Sequence, residues 1–279
     1  MSERRGQAGV LLMLLLLPTW GTGLAQNRPL VSESPETVEK DQIRLEAGFD
    51  FFQNVRFPLS GLEGDLTRLG SLGVRWGAGE RVEIQLFWTA VQVLNVDERF
   101  IGPNTPILDF DGNSTSDVGN LVLGTKLRFA DETEGRPALG FRFAVELPNT
   151  TSESGLGTDE TNFHSGILVS KHLGDLEVIA NAGLSILGDP VSGGAQDDLF
   201  SYGLALVHPM SPSVSLVADW NGRAGAGGFG TEEQSVVRFG FRTETSSLVW
   251  DAGILFGFET ADPETGLFFG LSKDFNLGD

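Results

Sequence analysis

The sequence of 279 residues contains no cysteine. This absence excludes a disulfide scaffold, a thiolate zinc site, an iron–sulfur cluster, a cysteine nucleophile and the acyl anchor of a lipoprotein. Basic residues are also few, with 19 lysines and arginines against 38 aspartates and glutamates, so the formal net charge is −19 and the pI is near 4.4. Because binding to nucleic-acid phosphates requires a basic surface, we expect no nucleic-acid partner.

Long apolar runs are also absent, and none after residue 25 reaches the roughly 20 residues that a transmembrane helix needs. The one run near the N-terminus, Val10–Leu17, follows Arg4 and Arg5 and ends at Pro18. This order is typical of a secretory signal peptide, which we expect at residues 1–25. An uncleaved anchor and a twin-arginine signal are weaker alternatives. Cleavage removes Glu3, Arg4 and Arg5, which leaves 17 basic and 37 acidic residues and a net charge of −20.

Alternation of apolar with polar or small residues dominates the rest of the chain. In residues 139–147 every odd position is apolar and the even positions are Gly140, Arg142, Ala144 and Glu146. A period of two predicts β-strands, and no stretch beyond one turn has the spacing of a helix, although Ser34-Pro35-Glu36 has the residues of a short helix start. The sequence predicts twelve strands, at residues 42–53, 66–77, 80–90, 118–130, 137–148, 161–172, 175–187, 198–208, 213–222, 234–244, 247–258 and 265–275.

The connections between these strands alternate between short turns and longer loops, as in outer-membrane barrels. Strands can cross a bilayer only in a closed barrel, because an unpaired backbone group in hydrocarbon costs several kcal/mol. Tryptophans mark both expected edges, with Trp76 and Trp250 at the short-turn rim and Trp88 and Trp220 at the long-loop rim. The predicted fold is an all-β, 12-stranded antiparallel up-and-down transmembrane barrel at residues 42–275. It has a polar periplasmic lead at 26–41 and a C-terminal tail at 276–279. A secreted soluble β-sandwich is the alternative.

Several segments resemble one family of outer-membrane proteins. They are Ser116–Phe129 in the fourth predicted strand, Glu146–Thr150, Gly155–Asp159 and Asn181–Leu184. The sequence is similar in these glycine-spaced stretches to the MetA-pathway of phenol degradation family, whose members are described as transporter-like barrels. The resemblance implies a twelve-stranded barrel that passes small organic molecules, with aromatic ones suggested by the family name. It implies no catalytic residues, and the chain departs from the usual terminal aromatic residue because Phe275 is followed by four more residues.

Charged residues on the polar faces of the strands are the candidate lumen and selectivity residues, since a barrel turns its polar face to water. They are Arg44, Glu46, Asp50, Glu83, Lys126, Arg128, Arg142, Glu146, Arg238, Arg242 and Asp251. Basic clusters among them favour anionic solutes, whereas pairing into ion ladders would merely fill the interior. A twelve-stranded barrel lies between filled small barrels and open porins, so the sequence leaves both states open.

The remaining motifs give weaker indications of function. The three histidines are expected to be lumen or rim residues, since His164 and His172 stand too far apart for one metal. Asp109, Asp111, Asn113 and Asp117 resemble a calcium loop, but the glycine is misplaced, so a solvated acidic loop is the default. We therefore expect no enzyme, metal or cofactor. The expected partners are outer-membrane lipid, a small-molecule solute and the barrel-assembly machinery. The leading hypothesis is a diffusion channel in the outer membrane, and the alternative is a closed structural or surface-interaction barrel.

Overall fold

The computed structural model describes residues 28–245 and 247–278, so the signal peptide expected at residues 1–25 lies outside the described residues. The described chain is almost entirely strand, with one 3₁₀ helix at Thr105–Ile107. The strands are β1 (Gln42–Phe57), β2 (Leu62–Gly79), β3 (Val82–Arg99), β4 (Ser114–Asp117), β5 (Leu121–Ala130), β6 (Ala138–Leu147), β7 (Asn162–Leu173), β8 (Leu176–Gly188), β9 (Gln196–Ser211), β10 (Val214–Ala224), β11 (Gln234–Thr245), β12 (Leu248–Gly257) and β13 (Thr265–Asn276).

The strands close into one antiparallel barrel. Neighbours along the chain pair with each other, and β1 pairs with β13 from Gln42↔Asn276 to Gln53↔Thr265, which closes the sheet. Both β4 and β5 pair with β3, and they share the place of one strand because residues 118–120 leave the ladder between them. The barrel therefore has twelve strands, and the predicted fold class is confirmed.

Large apolar side chains cover the outer face of the barrel. Phe239 and Phe256 are 50% and 37% exposed, whereas the inward-facing Lys126 is 0% exposed. Aromatic rings meet on both halves of this face: Trp250 and Phe269 near the short turns, and Tyr202 and Trp220 near the long loops. An apolar surface of this extent is unfavourable in water, so the outer face fits lipid rather than solvent.

The inner face is mostly polar near the short turns, apart from a small cluster of Ile179, Ala205, Val207 and Val217 around Leu30, and it is apolar near the long loops. Close to the loops eight buried side chains pack together inside the barrel. They are Phe52, Val55, Leu62, Leu66, Leu94, Val96, Leu255 and Phe268. The apolar face of β2 and β3 points inward there, which explains why both strands extend beyond their predicted ends at the long-loop side. This cluster closes part of the cross-section and leaves the rest to polar side chains.

Ser34-Pro35-Glu36 does not form a helix, so that prediction is wrong, and the backbone on either side of it binds the barrel wall through Glu33 N to Asn181 and Val38 N to Glu83. Among the described residues no helix has the length and apolar character to cross a membrane.

Candidate functional site

The interior of the barrel carries a strap of polypeptide. Residues 28–41, which we call the luminal strap, run across the lumen and join β1 at the short-turn rim, where Asp41 N donates to Gly77 O at 2.9 Å. The sequence suggested a periplasmic lead over 26–41, but the described part of that lead lies inside the barrel. The reason is charge: the strap offers carboxylates to a wall rich in inward-facing arginine and lysine.

Glu33 is the centre of the strap's contacts. Its carboxylate lies 3.3 Å from Arg75, 3.3 Å from Lys126 and 3.5 Å from Arg142. Gln85 Nε2 donates to the same carboxylate at 2.9 Å. Because all of these groups except the partly exposed Arg142 are buried, the ion pairs of Glu33 with Arg75 and Lys126 are little screened by water. The strap is therefore held by a desolvated charge cluster.

Two further carboxylates of the wall complete the cluster. Glu46 lies 3.0 Å from Arg75, and Glu83 lies 3.2 Å from Arg75 and 3.4 Å from Lys126. Three acids and three cations thus balance in this part of the lumen. A buried charge is tolerated only when it is paired in this way, so removal of one member leaves a costly excess charge.

Other strap residues bind the wall on either side of Glu33. Ser32 donates from its N–H and its hydroxyl to the Asp219 carboxylate at 2.9 and 2.7 Å. Arg28 lies 3.3 Å from Asp251, and Val38 N donates to Glu83 at 2.8 Å. The carboxylates thus replace the strand partners that the strap backbone lacks, which satisfies its buried donors.

Glycines in the wall make room for the strap. A Cβ atom at Gly48 or Gly270 would lie within 2.6 Å of the Arg28 guanidinium, and one at Gly203 would lie 2.5 Å from the Ser32 hydroxyl. At Gly77 the added atom would come within 1.9 Å of the Glu39 carbonyl oxygen, so only glycine fits. The wall is therefore shaped to the strap and not only charged to match it.

All eleven predicted lumen residues lie on the inner face, and the structure divides them by partner. Arg44 pairs with Asp274, Arg128 with Glu36 and Asp131, and Asp251 with Arg28. Glu46, Glu83, Lys126 and Arg142 belong to the cluster around Glu33. Asp50 accepts a hydrogen bond from the Ser71 hydroxyl at 2.6 Å. Arg242 lies near the short turns, and Arg238 faces the long-loop half of the lumen. Their part in selectivity stays a prediction.

Two cavities lie between the strap and the long loops. The larger has a volume of about 540 Å³ and extends from Val31 of the strap to Arg68, Arg238 and the loop residues near Gly155. The smaller, of about 270 Å³, borders Glu33 and the wall of β7 to β10. Both cavities are lined by Val31, Asn221, Arg223 and Gln234, so they adjoin. The interior is thus partly filled, a state between the open and the filled barrel.

The long loops fold over the outer end of the larger cavity. Ser60 donates to Gly155 O at 2.8 Å, which ties the loop after β1 to the loop after β6. Leu108 and Leu156, from the loops after β3 and β6, pack against the internal apolar cluster. Both loops therefore fold inward over the lumen. Their contacts close the long-loop end around the cavity.

Histidines lie in the lumen and at the rim, and Ser185, His164 and Glu146 form a chain on the wall of the smaller cavity. His164 Nδ1 lies 2.9 Å from the Ser185 hydroxyl, and its Nε2 lies 3.3 Å from Glu146. Ser185 also contacts Ser201 at 2.6 Å, and Glu146 accepts from Asn120 at 2.7 Å. Every member has more than one wall partner, so the chain satisfies polar groups of the wall.

At the short-turn rim, His172 binds Glu132 of the turn after β5. Its N–H and its Nδ1 lie 3.0 and 2.8 Å from the two carboxylate oxygens. Burial raises the pKa of Glu132, but these hydrogen bonds together with that of Lys171 outweigh it and lower the pKa to about 2. The contact fixes this turn on the rim and is far from the cavities.

The loop that resembled a calcium site uses its carboxylate differently. Asp117 accepts hydrogen bonds from Thr151 N at 2.8 Å and Val118 N at 2.7 Å, and so joins two loops. Within residues 28–245 and 247–278, no group of three or more histidine and acidic residues is arranged to hold a metal.

Several residues that face the lumen were not predicted from the sequence. Glu33 was assigned to an external lead, and Arg68, Arg75, Asp219 and Asn181 were not singled out. Their strands were recognised, and Asp219 and Asn181 stand on the polar faces of β10 and β8, so alternation alone pointed to them. For Arg68 and Arg75 alternation was not enough, because the inward phase of β2 changes at Gly70, which has a φ of 66°.

Comparison with solved structures supports the fold. The COG4313 outer membrane channel from Pseudomonas putida F1 is similar over 86% of this chain and 98% of that chain, with 16% identity and a TM-score of 0.63. The translocator domain of autotransporter NalP from Neisseria meningitidis matches over 84% and 88%, with 15% identity and a TM-score of 0.52. At these identities the likeness concerns the fold alone. No functionally curated protein matches the chain.

Comparison with protein families assigns the chain to a family, which the solved structures at these identities do not. The sequence profile of the family described as "Putative MetA-pathway of phenol degradation" matches residues 26–275. The match includes the luminal strap and all twelve strands. The chain therefore belongs to the MetA-pathway of phenol degradation family.

Proposed function

We propose that the protein is an outer-membrane channel through which small organic solutes diffuse. The observation that carries the proposal is the internal space: adjoining cavities of about 540 and 270 Å³ inside a closed barrel. A barrel that served only as a scaffold has no need of polar-lined space, since eight strands suffice for a filled interior. The apolar outer face and the likeness to the outer membrane channel of Pseudomonas putida support the membrane location and the class of function.

The strap is the proposed gate of this channel. It crosses the short-turn half of the lumen, and a solute that leaves the cavities on that side meets it. Its contacts are chiefly ion pairs and hydrogen bonds, and its buried apolar side chains are Pro29, Leu30, Pro35 and Val38. Polar contacts in a lumen can be exchanged for water, whereas apolar burial cannot, so displacement of the strap costs less than opening of the barrel wall.

The family description and the lining of the cavity both bear on the chemical class of the solute. The family description names phenol degradation, which points to aromatic molecules. The cavity wall itself combines the apolar side chains Phe52, Leu66 and Leu255 with arginines, which fits organic molecules that carry a polar group. No chemical step is proposed, because Ser185, His164 and Glu146 are each held by additional wall contacts.

Planar-bilayer recording of the purified full-length barrel tests the proposal. We expect reproducible single-channel steps. A barrel that is folded, as judged by heat-modifiable migration in gels, yet electrically silent would favour the closed structural or surface-interaction barrel instead. Solute uptake by a porin-depleted strain that expresses the protein would then rank aromatic against non-aromatic solutes.

A further inference from the structure

Two arginines on the wall of the larger cavity make no close ion pair, although an aspartate stands opposite each of them: Asp50 accepts a hydrogen bond from Ser71, and Asp219 accepts from Ser32 of the strap. Arg68 of β2 and Arg238 of β11 both line the 540 Å³ cavity. Within residues 28–245 and 247–278, neither makes an ion pair, and the buried Nε atom of each has no hydrogen-bond partner. A buried donor without an acceptor costs free energy that a bound acceptor would recover.

This deficit is local to the long-loop half of the lumen. In the short-turn half the cations Arg75, Lys126 and Arg142 all contact Glu33, and Arg44 pairs with Asp274. The same barrel that gives each of these cations a close ion pair thus leaves Arg68 and Arg238 without one a short distance away, because the aspartates opposite them are bound by other donors. Since the chain carries twice as many acidic as basic residues, shortage of carboxylates does not explain it.

Aromatic rings hold the two guanidinium groups in place. Arg68 lies over the ring of Phe52 at 5.3 Å from its centroid, and Arg238 lies over Phe268 at 5.9 Å. Both rings belong to the internal apolar cluster, which fixes them. A cation over an aromatic face is oriented without losing its charge, so both groups remain ready for an anion.

The carboxylates in the cavity wall are already bound. Glu146 contacts His164 and Asn120, Asp262 accepts from the backbone N–H of Ser235 at 2.8 Å, and Glu232 accepts from Gly230 N at 2.8 Å. Four arginines line the cavity against these three acids. They are Arg56, Arg68, Arg223 and Arg238. The cavity is therefore positive in an otherwise acidic protein.

We propose that this cavity is a binding subsite for a small organic monocarboxylate, whose carboxylate accepts hydrogen bonds from Arg68 and Arg238. Its apolar body would lie against Phe52, Leu66 and Leu255. Arginine is suited to this task because its planar donors match a carboxylate. The volume lies within the roughly 300–1,000 Å³ of ligand cavities. The proposal rests on the channel function above and narrows its solute class to organic anions.

Calorimetric titration of the full-length barrel in detergent with benzoate tests the subsite. Wild type is expected to bind benzoate, and R68Q and R238Q are each expected to weaken binding roughly tenfold to a hundredfold, the value of a charged hydrogen bond. R99Q is the matched control, since Arg99 is exposed near the same end, donates to Gly112 O and does not line the cavity. Its affinity should equal that of wild type.

Two further probes separate the parts of the ligand. Phenol keeps the ring without the carboxylate, and acetate keeps the carboxylate without the ring, so both should bind at least tenfold more weakly than benzoate. Equal binding of phenol and benzoate, or equal benzoate affinity in wild type and the R68Q/R238Q double variant, would overturn the proposal. Absence of benzoate binding to a folded wild-type barrel would overturn it as well.

Thermal unfolding gives a second readout that does not depend on the ligand. An arginine that only supports the fold should lower the unfolding temperature when replaced and leave benzoate affinity unchanged, whereas an anion-binding one should lose benzoate affinity whatever its effect on stability. Lower stability in R68Q together with unchanged benzoate affinity would contradict the subsite. Because binding is measured without current, a silent barrel that binds benzoate removes only the channel proposal, and a conducting barrel that does not bind it removes only the subsite.

Discussion

Replacement of Glu33 by glutamine should release the luminal strap. Glu33 is the strap's contribution to a cluster in which three carboxylates balance Arg75, Lys126 and Arg142. The E33Q variant keeps the size and most of the shape of the side chain but leaves the cluster with one excess positive charge. The strand ladders do not involve this residue, so the barrel itself should remain closed.

The size of the effect follows from burial. Glu33 is 7% exposed, Lys126 is 0% exposed and Arg75 is 3% exposed, so water screens the excess charge poorly. Loss of one partner from a buried ion pair typically costs about 3–5 kcal/mol. Because about 1.4 kcal/mol corresponds to a tenfold change in an equilibrium, the docked strap should be disfavoured roughly a hundredfold to a thousandfold.

The natural absence of cysteine supplies a direct assay. A single T37C substitution places a thiol in the strap at a side chain that is 9% exposed, and no other residue competes for a hydrophilic maleimide. Labelling then reports how often the strap leaves the wall. With the reporter in both backgrounds, E33Q should label at least a hundredfold faster than the parent.

Glu36→Gln is the matched control, because it removes the same charge three residues along the strap. Its carboxylate pairs with Arg128 but is 38% exposed, so its loss should cost at most about 1 kcal/mol. Equal labelling rates for E33Q and E36Q, whether fast or slow, would show that the buried cluster does not hold the strap. The gate proposed for the channel would then lose its basis.

Three further outcomes are expected. A Cβ atom at Gly203 would lie 3.3 Å from that of Ser32, slightly below the usual disulfide separation, so S32C/G203C should form a bond that lowers single-channel conductance until a reductant restores it. F239R places a charge on the outer face, where Phe239 is 50% exposed, and should lower the free energy of unfolding in lipid vesicles by about 2–4 kcal/mol, as measured by urea titration. A polar substitution at the exposed Gly112 should leave this free energy unchanged. The pKa of Glu132 is lowered from its ordinary 4.5 to about 2, so its contact with His172 should stabilise the turn above pH 4.5 and be lost as the pH falls toward 2. The carboxyl ¹³C shift of Glu132 would report this titration, and E132Q should abolish the pH dependence.

Alternation predicted the strands closely because lipid and water impose it on every spanning segment. Residues 137–148, for example, contain β6 at Ala138–Leu147, with Phe141 and Phe143 on the opposite face from Arg142 and Glu146. The rule fails where the backbone shifts phase. In β2, Arg68 and Arg75 both face inward although an odd number of positions separates them, since β2 has one extra residue opposite β1 at Gly70, which is in the left-handed conformation. If the inward and outward positions are taken from one half of such a strand, the side chains of the other half are assigned to the wrong face.

The luminal partners could not be found in this way, because pairing across a barrel is created by closure rather than by local sequence. Glu33 meets residues 42, 52 and 148 positions away, on three different strands, and a short polar segment before the first strand carries no local sign of such contacts. The unpaired state of Arg68 is equally a property of the whole: a list of inward charges cannot show which cations find carboxylates. The same closure that places Glu33 among three cations leaves Arg68 and Arg238 beside aromatic rings, so the strap and the anion subsite are two results of one charge distribution, neutral toward the short turns and positive toward the loops.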